Sequence, residues 1–95
     1  MRVHFIGIGG IGISAIARIM QTSGHEITGS DNSPSELTKK LEDSGIKVFK
    51  KHSKNNVDKS IDMIAYSPAI PKENPELKKA EELGIKTISY SNALG

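Results

Sequence analysis

The chain has 95 residues, of which 36% are hydrophobic and 25% are charged. A chain of this length forms one domain with one small core, and its composition differs from that of disordered proteins, which are poor in apolar residues and rich in net charge. The net charge of +2 is too small an excess to require a nucleic acid as partner. The absence of cysteine excludes a disulfide framework, a thiolate zinc site and a cysteine nucleophile.

No apolar run approaches the roughly 20 residues of a membrane-spanning helix. The N-terminus enters a strand-like pattern at once and lacks the charged, apolar and small-residue zones of a secretory signal. We therefore expect a cytoplasmic protein with no membrane partner and no nucleic-acid partner.

Short β-branched runs alternate with stretches of helical periodicity along the chain. The runs predict five strands, at residues 2–8, 25–30, 46–49, 61–66 and 85–89. Between the first two strands, apolar residues recur at helical spacing, namely Ile11, Ala15, Ile16, Ile19 and Met20. A helix is therefore predicted there, and a further, short one between residues 53 and 60.

Capping signals mark two other helices. Residues 33–36, Ser-Pro-Ser-Glu, predict a capping box in which Ser33 accepts from the Glu36 amide, with proline at the first helical position. Gly45 then supplies a left-handed turn at the end of that helix. Residues 74–76, Asn-Pro-Glu, predict the start of the last helix, which Gly84 ends.

Five strands alternating with helices predict a parallel sheet, because right-handed crossovers pack helices onto both of its faces. We expect an α/β, Rossmann-like domain over residues 1–95 with strand order 3-2-1-4-5. Ser91 and Asn92 resemble the N-cap of a helix that does not continue, which predicts a domain excised from a longer protein.

A glycine-rich loop follows the first strand and opens the first helix. Gly7, Gly9 and Gly12 form G-x-G-x-x-G in the context that favours dinucleotide or phosphate binding. In this fold the second glycine lets a pyrophosphate approach the backbone, so Gly9→Val is expected to block a nucleotide and to leave the fold cooperative. The alternative is a tight strand–helix turn without a ligand.

The same loop has the glycine spacing of a P-loop but not its chemistry. Ile13 and Ser14 follow Gly12, where a P-loop has lysine and then serine or threonine. Because no lysine can reach a γ-phosphate from this position, nucleotide hydrolysis within the chain is excluded.

Two other segments lie where a ligand would bind in this fold. Asp31 ends the second strand, where a carboxylate accepts hydrogen bonds from a ribose hydroxyl, although it could equally cap the following helix. The loop at residues 67–71 follows the fourth strand, and the strand order places it across the crevice from the glycine loop. There Pro68 and Pro71 hold the Ala69 and Ile70 amides in place, and we expect these amides to be unblocked and available to a ligand. The alternative is that the prolines only stiffen a turn for stability.

The three histidines carry no recognisable catalytic or metal-binding pattern. His4 and His25 lie in or beside strands, where core or edge positions are expected, and His52 lies in a polar loop near the end of the second strand. No Ser-His-Asp set and no metal-ligand spacing is visible in the sequence. We expect no catalytic residue, metal or cofactor site within this chain.

The motifs together resemble the N-terminal domain of the Mur ligases. The resemblance lies in residues 7–17, 29–31, 67–70 and 74–76, which occur in order and cover essentially the whole chain. It is strongest to the type that joins L-alanine to UDP-N-acetylmuramate in peptidoglycan synthesis. The resemblance implies a three-domain, ATP-dependent ligase whose first domain holds the UDP part of the substrate. The missing central domain would supply the P-loop and magnesium, and the last would bind the amino acid.

By this likeness, the residues that would contact UDP are Gly7, Gly9, Gly10, Ile11, Gly12, Ser30, Asp31, His52, Ser67, Pro68, Ala69 and Ile70. The glycine-loop amides would receive the diphosphate and Ser30 and Asp31 the uridine. Lys51 stands where the family often has glycine, and Pro68 where many members have serine, so a hydroxyl contact would be lost there.

Two alternatives remain on the residues alone. Gly7, Gly9, Gly12 and Asp31 satisfy the NAD-binding fingerprint equally well, which would indicate a dehydrogenase or regulatory module. A stand-alone interaction domain without a nucleotide is the other.

Overall fold

A computed structural model describes residues 1–33 and 35–90 of the chain and, for Ile11, the backbone only. The strands are β1 (Arg2–Ile6), β2 (Glu26–Ser30), β3 (Lys47–Phe49), β4 (Met63–Tyr66) and β5 (Lys86–Ser89). The helices are α1 (Ile11–Thr22), α2 (Glu36–Asp43) and α3 (Pro75–Leu83), with a short 3-10 helix at Lys54–Asn56. The predicted cap at Ser91 lies outside the described residues.

The strands form one parallel sheet in the order β3-β2-β1-β4-β5, which confirms the predicted fold class. Ile6 pairs with Ser30 on one side and with Tyr66 on the other. The carboxyl ends of β1, β2 and β4 therefore lie level, and the loops that follow these strands meet at one edge of the sheet.

Alternation along β1 divides the core between the two faces of the sheet. Val3 and Phe5 pack with Ile13 and Ala17 of α1 on one face, whereas Ile6 packs with Ala80 of α3 on the other. His4 is fully buried on the same side as Ile6. No helix among the described residues is long and apolar enough to cross a membrane.

The apolar stripe of α1 is centred differently from the predicted one. Ile13 and Ala17 are buried and Ile16 and Met20 partly buried, whereas Ile19 is 64% exposed. The buried positions repeat at three- and four-residue intervals from Ile13, and this register leaves Ile19 on the opposite side of the helix. Of the residues whose spacing predicted this helix, Ala15 and Ile19 are therefore exposed.

The start of α2 also differs from the prediction. The N-cap is Ser35 rather than Ser33, and its hydroxyl accepts from the Thr38 amide while the Thr38 hydroxyl accepts from the Ser35 amide at 2.8 Å. The reason lies upstream, where Asp31 Oδ1 accepts from the Ser33 amide at 2.8 Å and holds Ser33 in the loop. The capping box is therefore shifted by two residues. The predicted caps at Asn74 and Gly84 are confirmed.

Close packing of β2 against the segment after β1 requires glycine at position 29. A Cβ built on Gly29 would lie 2.4 Å from Ile8 Cδ1 and 2.8 Å from Ile8 Cβ. Since Ile8 is fully buried, its side chain has no free space to move into.

We predict that Gly29→Ala lowers the free energy of unfolding by about 1–3 kcal/mol through overpacking, as measured by urea denaturation. Gly10→Ala is the matched control, because Gly10 has a φ of −66° and its added methyl would lie 3.1 Å from Ile13 Cγ2 and 3.6 Å from the Gly7 carbonyl oxygen, both longer than the contacts at Gly29. Equal losses in the two variants would contradict the steric explanation.

Candidate nucleotide-binding site

The glycine loop is anchored to the end of β2 and to the loop after β4. The Ser30 carbonyl accepts from the amides of Gly7 at 2.8 Å and Ile8 at 3.1 Å. Gly7 has a φ of +80°, and a Cβ there would lie 3.3 Å from Ser67 Cβ and 3.2 Å from Ile70 Cδ1. Glycine is needed at position 7 for both the left-handed turn and this close approach, so the two segments predicted to share a crevice are in direct contact at its base.

The amino end of α1 is built to attract an anion. Its N-cap is Gly10, which has no side chain to accept from the first amides, and the first turn contains no acidic residue. The first amides of a helix have no acceptor within the helix itself, and the helix dipole adds a partial positive charge. The amides of Ile11, Gly12 and Ile13 thus form a site suited to phosphate oxygens.

The Asp31 carboxylate bonds the glycine loop to the segment after β2. Its Oδ2 accepts from the Gly9 amide at 2.8 Å, while its Oδ1 accepts from the Ser33 amide. Asp31 does not cap the following helix, because Ser35 is the N-cap of α2; it bonds the loop before that helix and makes a contact with Gly9 that the sequence did not indicate. Because each carboxylate oxygen accepts more than one hydrogen bond, Asp31 retains acceptor capacity for a ligand hydroxyl.

The Gly9 amide is therefore already hydrogen-bonded to Asp31, and atoms of Asp31 and Thr38 fill the space that a side chain at position 9 would need. A Cβ on Gly9 would lie 2.7 Å from Asp31 Oδ2 and 2.9 Å from Thr38 Cγ2. A side chain at this position would meet Asp31 and α2. The larger side chain of Gly9→Val would have to displace part of the protein itself, so we expect this variant to destabilise the fold as well as to obstruct a nucleotide.

The loop after β4 uses its own amides. The Ala69 amide donates to Ser67 Oγ at 3.3 Å, and the Ile70 amide donates to the Ser67 carbonyl at 3.0 Å. The expectation that both amides are unblocked is wrong, because the turn closes on itself. Pro68 and Ala69 are exposed at the tip of this loop.

A buried polar cluster lies directly beneath this edge of the sheet. Glu76, in the first turn of α3, is fully buried; its Oε1 accepts from Ser30 Oγ at 2.8 Å and from His4 Nε2 at 2.5 Å. Its Oε2 accepts from the Ser53 amide and from Asn56 Nδ2, both at 2.9 Å. Four donors from three segments of the chain, namely β1, β2 and the 3-10 helix with its N-cap, thus surround one carboxylate.

These donors determine the ionisation of the carboxyl group. Burial by itself raises the pKa of Glu76, but the hydrogen bond and charge of His4 and the hydrogen bonds from Asn56 and Ser30 outweigh it. The pKa therefore lies below its ordinary value of 4.5. Glu76 is ionised at neutral pH.

His52 reaches the same cluster from the loop after β3. Its Nδ1 lies 2.9 Å from Ser30 Oγ and 3.6 Å from Glu76 Oε2, and its amide donates to Asn32 Oδ1 at 3.0 Å. The tertiary structure thus brings a serine, a histidine and a carboxylate together, a set not visible in the sequence. Ser30 is fully buried and donates to Glu76, so this set is not arranged for nucleophilic attack.

Sequence reasoning placed the predicted site residues at one edge of the sheet but missed Glu76 and the part played by His4. An acidic residue in the first turn of a helix is ordinarily a solvent-exposed partner of the helix dipole. Only the burial of this turn against β1 makes Glu76 the centre of a network. Ser30 is likewise turned into the protein, so its contacts with the glycine loop run through its carbonyl.

Comparison with known proteins assigns the domain. Residues 2–95 match the family model described as "Mur ligase family, catalytic domain". The chain belongs to the Mur ligase family. A UDP-N-acetylmuramate–L-alanine ligase of Campylobacter jejuni is 53% identical over 92 residues, which cover 97% of this chain and 21% of that protein. The chain thus spans about a fifth of the length of the curated relatives it matches, and the expected resemblance to a Mur ligase N-terminal domain is confirmed.

Two solved structures share the architecture. A crystal structure of a UDP-N-acetylmuramate–alanine ligase from Thermotoga maritima matches with a TM-score of 0.90 and 35% identity, over 94% of this chain and 20% of that one. The UDP-N-acetylmuramate:L-alanyl-γ-D-glutamyl-meso-diaminopimelate ligase from Neisseria meningitides matches with a TM-score of 0.84 and 26% identity, over 93% and 28% of the respective chains. Of these two structures, the alanine ligase is the more similar to this Mur ligase domain.

In this Mur ligase domain, we predict that Gly9→Ala lowers the free energy of unfolding by about 1–3 kcal/mol, because the new methyl overlaps the Asp31 carboxylate. Asp31→Ala removes that carboxylate, so the double variant should lose less than the sum of the single losses. Urea denaturation of all four proteins measures the coupling, expected at about 0.5–3 kcal/mol. If the losses of the two single variants simply add in the double variant, the Asp31 carboxylate is not the reason that position 9 requires glycine.

We further predict that acid destabilises the domain through Glu76. A carboxyl group whose pKa is lower in the folded state contributes stability above its unfolded value and loses that contribution as the pH falls through its folded value. The free energy of unfolding should therefore decrease as the pH falls below 4.5, the ordinary pKa of glutamate.

Carbon-13 titration of the Glu76 carboxyl, combined with denaturation at each pH, measures this effect. Glu81→Gln, an exposed change on the same helix, is the control and should leave the curve unchanged. A titration midpoint for Glu76 above 4.5 would contradict the prediction.

Proposed function

We propose that this chain is the domain that binds the UDP part of UDP-N-acetylmuramate in an ATP-dependent UDP-N-acetylmuramate–L-alanine ligase of peptidoglycan synthesis. The observation that carries the proposal is the uncapped amino end of α1, which follows directly on a glycine loop that contacts Asp31 on one side and the loop after β4 on the other. Support also comes from the 53% identity to a protein of that name.

The geometry favours a division of tasks among the predicted residues. The amides of Ile11, Gly12 and Ile13 would bind the diphosphate, since the Gly9 amide already donates to Asp31. The remaining acceptor capacity of Asp31 suits a ribose hydroxyl, and His52 suits a further polar group of the nucleoside. The exposed tip at Pro68 and Ala69 would form the opposite wall.

This chain by itself would bind without catalysing. Ile13 stands where a P-loop has its lysine, so the phosphate transfer from ATP requires the parts of the ligase outside this chain. In the whole enzyme, ATP would phosphorylate the muramate carboxyl, and the alanine amine would attack the acyl phosphate and release phosphate. Magnesium would be held by the central domain.

Thermal melts with UDP-N-acetylmuramate, UDP and NAD test the proposal. A ligand at 100 times its dissociation constant stabilises by about 2.7 kcal/mol, and in a domain of this size each kcal/mol raises Tm by roughly 4–8 °C. We expect both uridine ligands to raise Tm and NAD to leave it unchanged.

The variant His52→Ala should reduce the shift with UDP, whereas His25→Ala should not, because His25 precedes β2 at the opposite edge of the sheet. A shift with NAD alone would identify a dinucleotide-binding module instead. No shift with millimolar UDP-N-acetylmuramate or UDP would reject the proposed site.

A further inference from the structure

The protons around Glu76 can be assigned from chemistry. The Ser53 amide and the Asn56 amide group can only donate at the atoms involved, and both point at Oε2. An ionised carboxylate only accepts, so His4 Nε2 must carry a proton toward Oε1. The single hydroxyl proton of Ser30 must also point at Oε1, because two oxygens 2.8 Å apart without a proton between them would repel each other.

This assignment determines the state of His52. Once the Ser30 hydroxyl has donated to Glu76, Ser30 Oγ can only accept from His52 Nδ1, 2.9 Å away. His52 Nδ1 therefore carries the proton, and in the neutral ring Nε2 carries the lone pair. Within residues 1–33 and 35–90 no group bonds Nε2, and 11% of the side chain is exposed.

We propose that Glu76, acting through Ser30, is a positioning residue that holds His52 in its Nδ1–H form, so that His52 Nε2 accepts a hydrogen bond from a hydroxyl or ring N–H group of the bound nucleoside. The ligand part of this inference rests on the proposed function; the assignment of the tautomer does not. An imidazole side chain free in water favours the Nε2–H form, so the cluster selects the less common state.

The location of His52 supports the link to ligand binding. Its amide donates to Asn32, the residue directly after Asp31. Ser30, to which its ring donates, also accepts from the amides of Gly7 and Ile8. The ring that Glu76 orients is thus attached to the same two segments that carry Asp31 and the glycine loop.

The tautomer can be read directly by two-bond proton–nitrogen correlation NMR of the chain labelled with nitrogen-15 at histidine, at neutral pH. We expect the wild-type spectrum to show His52 protonated at Nδ1 and His4 protonated at Nε2. A His52 ring protonated at Nε2 in the wild type would overturn the proposal.

Two variants test the relay. Ser30→Ala removes the acceptor for His52 Nδ1, so His52 should move toward the Nε2–H form while His4, which donates directly to Glu76, stays unchanged as an internal control. Glu76→Gln leaves a single carbonyl oxygen for four donors. It should therefore change the tautomer populations of both His4 and His52. The matched control Glu81→Gln should leave the tautomers of both histidines unchanged. If Glu76→Gln does not fold, Ser30→Ala decides alone, and an unchanged His52 in that variant would overturn the proposal.

The ligand part is tested by isothermal titration with UDP, 2′-deoxy-UDP and 3-methyl-UDP. A fourth ligand, 3′-deoxy-UDP, completes the set, so that each ribose hydroxyl and the ring N–H are removed in turn. The analogue that lacks the group bonded to His52 Nε2 should bind about 3- to 10-fold more weakly than UDP. In His52→Ala that analogue and UDP should bind equally.

Equal binding of UDP and of all three analogues by the wild type would overturn the ligand contact. Failure of UDP to bind, with His52 still protonated at Nδ1, would instead refute the proposed function and retain the assignment of Glu76. The NMR and titration results therefore separate the two proposals.

Discussion

A single buried carboxylate ties together the segments that build the candidate site. An ionised group removed from water is stable only if its charge is compensated, and for Glu76 four donors come from β1, β2 and the 3-10 helix with its N-cap. Each of these segments is thereby held against the first turn of α3. These hydrogen bonds replace the water that would otherwise solvate the carboxylate. They also join the segments at this edge of the sheet to one residue.

The end of β2 transmits this constraint to the glycine loop. The Ser30 hydroxyl donates to Glu76, while the Ser30 carbonyl receives two amides of the loop after β1. Asp31 then continues the attachment through the Gly9 amide. Two successive residues, Ser30 and Asp31, therefore fix the position of the glycine loop, and the amino end of α1 that follows it has no side-chain cap. A preorganised loop loses less conformational entropy when a ligand binds.

The glycines of the loop serve different purposes, although one motif describes them. Gly7 adopts a positive φ and lies against the loop after β4, whereas Gly9 makes room for a carboxylate and a threonine of the protein itself. The spacing of the motif is thus explained by internal packing at two of its positions. This packing is compatible with membership of the Mur ligase family, whose resemblance extends well beyond the glycine loop.

Several features followed from the sequence because their causes are local or repetitive. Alternating strand and helix patterns predicted the parallel sheet and its order, and the caps at Asn74 and Gly84 were recognisable because a cap depends on a few adjacent residues. The motifs also identified the family. The capping box of α2 was displaced because Asp31, a residue outside the motif, holds Ser33. The burial of Glu76, the acceptor for the Gly9 amide and the contact between His52 and Ser30 were decided by the tertiary structure alone, since each depends on contacts between residues 20 or more positions apart in the chain.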